Sequence, residues 1–276
     1  MSHELDGGQS RHSLERAEEV LEAQLSAPGA DAARTGEDLF AVTSLLDSSV
    51  RLRRALTDPA RAGSAKAAFV HQSLGGKITP AALETVAALA AGRWAAGRDL
   101  ADATERVAVV AVITQADRLG RLDSLEDELF RFSRTIAGNT RLRDALADQS
   151  APEANRASLM SRLLLDKASP EVVQLARRAA MSPRGVRAEK LLEDWVTLAA
   201  RRRQQFVAHV VSAQPLSEVQ RSRLAAGLAR QYGHTIRINA EVDPDLVGGL
   251  RINVGDDVID GTISTRLAEA RRRLAG

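Results

Sequence analysis

The chain has 276 residues, enough for two or three compact units with buried cores, which argues against one small domain. Its 38 basic and 36 acidic side chains leave a net charge of +2, and aromatic residues make up only 3%, so neither phosphate tracking nor base stacking has a footprint. The absence of cysteine excludes disulfides and thiolate metal sites, and a hydrophobic fraction of 44%, mostly Ala, Leu and Val, favours closely packed helices.

The first ten residues carry neither the cationic start nor the apolar run of a leader peptide, so none is expected. The longest apolar stretch, Val107 to Ile113, falls far short of the roughly 20 residues that cross a bilayer. Membrane association is therefore expected only through partners.

From Leu39 onward the apolar spacing is helical. Leu39, Val42 and Leu46 share one face, as do Leu100, Ala103, Val107 and Val110, and then Leu125, Leu129, Phe132 and Ile136. Asp123 followed by Glu126 predicts a capping box. Pro80 and Pro170, each after Thr or Ser, suit the first turn of a helix, where a missing N–H costs nothing. Gly63, the Gly75 and Gly76 pair, and Gly138 with Asn139 mark turns between these helices.

An internal repeat runs through this part at an offset of 90 residues. Leu39-Phe40 falls on Leu129-Phe130, Arg51-Leu52-Arg53 on Arg141-Leu142-Arg143, Asp58 on Asp148, Lys77 on Lys167 and Pro80 on Pro170, with no gap. Thirteen of the fifty-two positions from Leu39 to Ala90 are identical to their partners, well above the four or five that composition alone gives. A period of 90 exceeds the roughly 20 to 50 residues of solenoid repeats, so each copy should be a small domain. Trp94 and Trp195 are eleven positions out of register and count as separate core residues.

After Ala200 the pattern changes. Phe206 to Ser212 is short and β-branched and reads as a strand. Ser217 with Gln220 can cap a helix reaching about Tyr232, with Leu216, Leu224 and Leu228 on its buried side. Extended runs follow at Thr235 to Val242 and Gly249 to Val254, Gly255-Asp256-Asp257 closes the second, and a last helix spans Thr262 to Leu274. The expected order is β-α-β-β-α. The expected fold is thus mainly α: two tandem related helical-bundle domains, residues 1–107 and 108–204, then a small mixed α/β domain, residues 205–276.

No catalytic, cofactor-binding or metal site emerges. The histidines at 3, 12, 71, 209 and 234 lack any spacing that sets two ring nitrogens on one helical face. Asp243, Asp245, Asp256, Asp257 and Asp260 lack the order of a calcium-wrapping loop and read as turn aspartates. Gly76-Lys77 has His71 where a phosphate-cradling loop needs glycine, and no hydroxyl follows the lysine. Arg201, Arg202 and Arg203, and likewise Arg271, Arg272 and Arg273, lie near predicted helix C-termini; they are either solvated ends favoured by the helix dipole or contacts to an acidic partner helix.

Three stretches carry a resemblance: V-V-S-A-Q-P-L-S from Val210 to Ser217, V-D-P-D-L-V-G-G from Val242 to Gly249, and G-D-D-V-I-D-G-T from Gly255 to Thr262. With their spacing and the arginine-rich end, the last seventy or so residues resemble the delta subunit of the F-type ATP synthase. The segment Ile113 to Leu129 and the N-x-x-L-R-x-A-L pattern at Asn139 to Leu146 resemble that family's N-terminal domain. The first copy is extra, and the long duplicated form resembles those of high-GC Gram-positive bacteria.

The resemblance implies a non-catalytic stator: a helical domain gripping N-terminal segments of alpha subunits, and a C-terminal domain holding the membrane-anchored b subunit at the cytoplasmic face of the membrane. Val211, Ser212, Ala213, Leu216, Asp243, Pro244, Gly248, Gly249, Gly255, Asp260 and Gly261 then form a structural signature. Leu125, Leu129, Phe132 and the two arginine triplets are the candidate interface residues, since a helix-in-groove contact uses anchors at helical spacing. No cofactor and no nucleic acid is expected. The competing reading is an all-helical RNA-binding or antitermination-type module, which the near-neutral charge disfavours.

Overall fold

The structure is a computed structural model and describes all residues except 1–6, 149, 182–184, 206, 233–235, 244–245, 247, 255–256 and 263–276. The last expected helix, Arg271, Arg272, Arg273, Pro244 and Gly255 lie outside the described residues. The chain divides into two compact units, Met1–Ala199 and Ala200–Gly276.

The first unit is helical. It opens with α1 (Gly8–Leu25), α2 (Ala32–Ser48), α3 (Val50–Thr57), α4 (Gly63–Leu74) and α5 (Pro80–Ala91). Then follow α6 (Gly97–Arg118), α7 (Leu122–Gly138), α8 (Thr140–Ala147), α9 (Glu153–Leu164), α10 (Pro170–Met181) and α11 (Ala188–Gln205), whose last residues belong to the second unit. Helices α7 to α10 begin 90 residues after α2 to α5, the same offset that the sequence shows, and α5 and α10 both open on proline.

The repeat extends to individual contacts. Asp38 accepts a hydrogen bond from the backbone N–H of Thr79 at 2.7 Å, and Glu128 accepts one from Ser169 at the same distance. Ser49 caps α3 through the N–H of Leu52 at 3.2 Å, and Asn139 caps α8 through that of Leu142 at 3.1 Å. Gly76, at φ 72°, is matched by Asp166 at φ 58°, so the second copy keeps a left-handed turn without its glycine. Lys66 buries its ammonium on the carbonyl of Gly92 at 2.9 Å, and burial pushes its pKa below the ordinary lysine value. Its counterpart Arg156 reaches Ala180 at 3.0 Å and also Asp148 and Ala151.

Because Glu128 ties the start of α10 to α7 through both the N–H and the hydroxyl of Ser169, Glu128→Ala is expected to cost about 1–2 kcal/mol. Urea unfolding followed by tryptophan fluorescence measures it, and a loss below a few tenths would show the cap to be idle.

The expected boundary at 107/108 falls inside α6. This helix starts 89 residues after α1, and α11 starts 91 residues after α6, so the three occupy equivalent positions in the repeat. Helix α6 closes the first copy and opens the second. That double role explains its composition: Val107 to Ile113 is buried on every side, between 0% and 7% exposed. β-branched residues cost a few tenths of a kcal/mol each in a helix, but burying each valine returns about 1.5 kcal/mol or more, so packing wins.

Thr104 and Thr114 donate their hydroxyls back to Leu100 and Val110 at 2.7 Å, leaving no unsatisfied oxygen in this apolar setting. Arg106 pairs with Glu18 at 2.7 Å, while Arg118 donates to the carbonyls of Leu25 and Ala30, fastening α6 to the end of α1. One hydrophobic core runs without interruption from Leu14 to Ala199. A chain cut at 107 would divide its central helix.

The joint between the copies has a polar centre. Arg178 of α10 is 5% exposed and donates from Nε to Glu105 at 2.6 Å, from one terminal nitrogen to Ser44 at 3.0 Å and from the other to Asp47 at 3.2 Å. Its guanidinium carbon also lies 5.6 Å from the centre of the Phe40 ring.

Two expectations change. Helix α7 begins at Leu122, with Arg121 as its cap, so Asp123 sits inside the first turn, where its charge favours the helix dipole, and the capping box does not form. The second unit contains a fourth strand where a closing turn was expected.

That unit comprises β1 (Val207–Ser212), α12 (Glu218–Tyr232), β2 (Arg237–Val242), β3 (Leu250–Val254) and β4 (Asp257–Asp260). The sheet order is β2-β1-β3-β4, with β1 and β2 parallel and the other pairs antiparallel. Helix α12 supplies the crossover that a parallel pair needs. Ser217 and Gln220 cap it reciprocally, the Ser217 N–H donating to Gln220 at 2.9 Å and the Gln220 N–H to Ser217 at 3.3 Å. Leu216, Leu224 and Leu228 pack with Ala208, Val210, Ile252 and Val254 in a separate small core.

Candidate partner interface

The described residues of the signature gather at one end of the sheet. Ser212 ends β1 opposite Val242 of β2 and Leu250 of β3, and Arg251 faces Asp260 of β4. This register brings together the three signature stretches, which are distant in the chain. Ser212 is 2% exposed; its hydroxyl donates to Gln214 at 2.8 Å and its carbonyl accepts from Asp243 at 2.9 Å. Val211, Ala213 and Leu216 are half-buried around it.

Gly248 and Gly249 take φ values of 147° and 92°, in the region that favours glycine. At Gly249 a Cβ would also lie 2.5 Å from the carbonyl oxygen of Gly261 and 2.7 Å from the Cα of Thr262. The chain leaving β4 crosses the start of β3 with no room for a side chain. Gly261 donates to the carbonyl of Leu250 at 2.9 Å, and Asp260 accepts from the N–H of Thr262 at 2.9 Å. Asp260 thus acts on its own backbone, and its carboxylate also lies 3.8 Å from Arg251. Among the described residues no group of His, Asp and Glu has the arrangement of a metal site.

Tyr232, at the end of α12, packs against this core, and burial, followed by its hydrogen bond to the Asp257 carboxylate, raises its pKa above the ordinary value near 10. The neutral phenol is favoured in the folded state, so its contribution is fully present below the unfolded pKa and is lost as pH rises through the folded one. The C-terminal unit is expected to weaken above about pH 10, and phenolate absorbance should titrate above 10 and shift downward in Asp257→Asn. A midpoint unmoved by that substitution would remove the assigned partner.

Among the candidate contacts, Leu125, Leu129 and Phe132 are 1%, 0% and 7% exposed. They hold α7 in the core and present nothing to a partner. The periodicity that singled them out is that of the inward face. Arg201 is exposed, Arg202 is buried and Arg203 is half-buried, so the triplet does not project as a block. The apolar side chain that α7 does present is Phe130, 52% exposed. It could have been found in the sequence as the aromatic that falls outside the stripe formed by Leu125, Leu129, Phe132 and Ile136.

Comparison with known proteins finds relatives along the full length of the chain. Residues 109–274 match the family described as ATP synthase delta (OSCP) subunit, the match opening inside α6. The "ATP synthase subunit delta" of Kineococcus radiotolerans is 73% identical over 276 residues, covering 100% of each chain. That of Streptomyces coelicolor is 46% identical over 268 residues, 97% of this chain and 98% of its own, and that of Beutenbergia cavernae 43% over 267, with the same coverage. These relatives span the first helical copy as well as the matched part. A chain of the Toxoplasma gondii mitochondrial ATP synthase hexamer covers 61% of this chain and 95% of its own at 18% identity, with a TM-score of 0.30, too low to carry an argument. A family match over more than half its length and full-length relatives up to 73% identical establish that the chain belongs to the ATP synthase delta (OSCP) subunit family.

Proposed function

We propose that the chain is a non-catalytic clamp in the peripheral stalk of the F-type ATP synthase. The helical unit grips N-terminal segments of alpha subunits on the catalytic head. The C-terminal unit holds the membrane-anchored b subunit at the cytoplasmic face of the cell membrane. The observation that carries this reading is the 73% identity to a delta subunit over the full length.

The physical requirement is a stator. Torque on the rotor would otherwise turn the head along with it, so the linking subunit must transmit load through stable interfaces. A helical unit with one continuous core and a buried arginine at its internal joint suits that task. No described helix is long and apolar enough to cross a membrane, and contact with the bilayer is assigned to the b subunit.

Purification of the tagged chain under mild detergent tests the proposal. Alpha and b subunits are expected to co-purify in fixed ratio. RNA that co-purifies and dissociates steeply with salt would instead favour the RNA-binding reading, and ATP hydrolysis by the isolated chain would contradict a non-catalytic role.

A further inference from the structure

We propose that the exposed face of α7 around Phe130 and Arg134 is a docking site for an acidic amphipathic helix of a neighbouring subunit. The inference rests on the stator reading above and names a contact within it.

The duplication supplies the argument, because one copy shows what this face is built to receive. In the first copy Phe40, Ser44 and Asp47 form a stripe along α2, and the side chain of Arg178 reaches onto it from α10. Arg178 sits over the Phe40 ring, donates to Ser44 and pairs with Asp47. Ninety residues later the same stripe reads Phe130, Arg134 and Ala137 on α7. The two helices have the same length and the same bounds at that offset, so the three positions share one face in both. Phe40 is 9% exposed under its cover, whereas Phe130 is 52% exposed and Arg134 is also exposed. The second copy therefore offers, bare, the surface that in the first copy is covered by an arginine from another helix.

The side chains also say what kind of helix. The first stripe, with Asp47 on it and Glu105 beside it, receives an arginine. In the second copy the place of Asp47 is taken by Ala137, that of Glu105 by Trp195 and that of Ser44 by Arg134, so the polarity is inverted. Arg141 is exposed at the start of α8, beyond the same end of α7, while Asp123 and Asp127 lie toward its beginning. The matching helix places an apolar side chain on the Phe130 ring and a carboxylate one turn away, against Arg134. Apolar anchors supply the affinity of such contacts, and the charge pair selects the partner and its direction.

The test uses the full chain in the intact ATP synthase, with Phe130 replaced by the photoreactive p-benzoylphenylalanine. Irradiation is expected to give an adduct whose peptide, identified by mass spectrometry, comes from another subunit and carries Asp or Glu three or four residues from an apolar residue. Adding Arg134→Glu should lower the yield by about tenfold without moving the unfolding midpoint of the isolated chain.

An assembled complex that gives no adduct overturns the inference. So does an adduct only to this chain itself, to a second copy of it, or to a segment without acidic residues. An undiminished yield with Arg134→Glu overturns the charge assignment and with it the proposed partner chemistry. If the chain is missing from the purified complex, the stator reading fails, and that failure is distinct from an empty face on an assembled one.

Discussion

Replacing Arg178 with alanine is expected to lower the stability of the helical unit by about 3–5 kcal/mol, the largest effect of any single substitution proposed for it. The reason is what remains behind. Arg178, Glu105 and Asp47 have side chains only 5%, 9% and 11% exposed, so removing the guanidinium takes from two buried carboxylates the cation that each pairs with here. A lysine cannot substitute fully, because Arg178 uses three separate nitrogens for three partners in a fixed planar fork.

The pair is not thereby a net gain over an apolar joint. Replacing the arginine and both acids together by residues such as methionine and leucine should recover most of the loss, since the buried charges are then removed together. Denaturant unfolding of the single and triple variants decides between these statements. A loss under about 1 kcal/mol for Arg178→Ala would mean that water reaches the joint and screens the acids. The effect should also change little with ionic strength, because buried pairs are screened far less than exposed ones.

Gly249→Ala is expected to cost the C-terminal unit about 2–4 kcal/mol, combining a left-handed backbone with a collision that has no flexible side chain to yield. The atoms in the way are the Gly261 oxygen at 2.5 Å and the Thr262 Cα at 2.7 Å, both backbone. Relief requires the end of β4 to move away from the start of β3, breaking the Gly261 to Leu250 hydrogen bond and the register of the sheet end.

The chain offers a direct way to see this. Both tryptophans, Trp94 and Trp195, lie in the core of the helical unit, and the single tyrosine, Tyr232, lies in the other. Tryptophan fluorescence should report an unchanged helical unit while the tyrosine signal shows the C-terminal unit unfolding at lower denaturant. If the tryptophan transition moved equally, or neither moved, the collision would not be local to the sheet end.

Which parts of this were legible in the sequence follows from how local each cause is. The helices around Leu39 and Leu129, the prolines opening α5 and α10, and the reciprocal cap of Ser217 and Gln220 all arise within a few residues of chain, and the structure carries each of them. The 90-residue duplication was equally visible and proves true down to paired hydrogen bonds such as those of Asp38 and Glu128. Strand β4 was missed because it is short, acidic at both ends and half solvated, with Val258 66% exposed, so it has neither the length nor the alternation of a strand signal.

The closing signatures identified the family from sequence alone, since spacing and residue type are properties of the chain. What they do could be read only in three dimensions. Gly249 and Gly261 are twelve residues apart and touch because the β3–β4 pairing folds one onto the other. Tertiary structure likewise decided that α6 belongs to both copies, that Leu125, Leu129 and Phe132 face inward, and that Phe130 faces out where Phe40 does not. Periodicity marks the apolar side of a helix, but whether a given ring is covered depends on which other helix arrives there, and that contact is set by residues more than a hundred positions away.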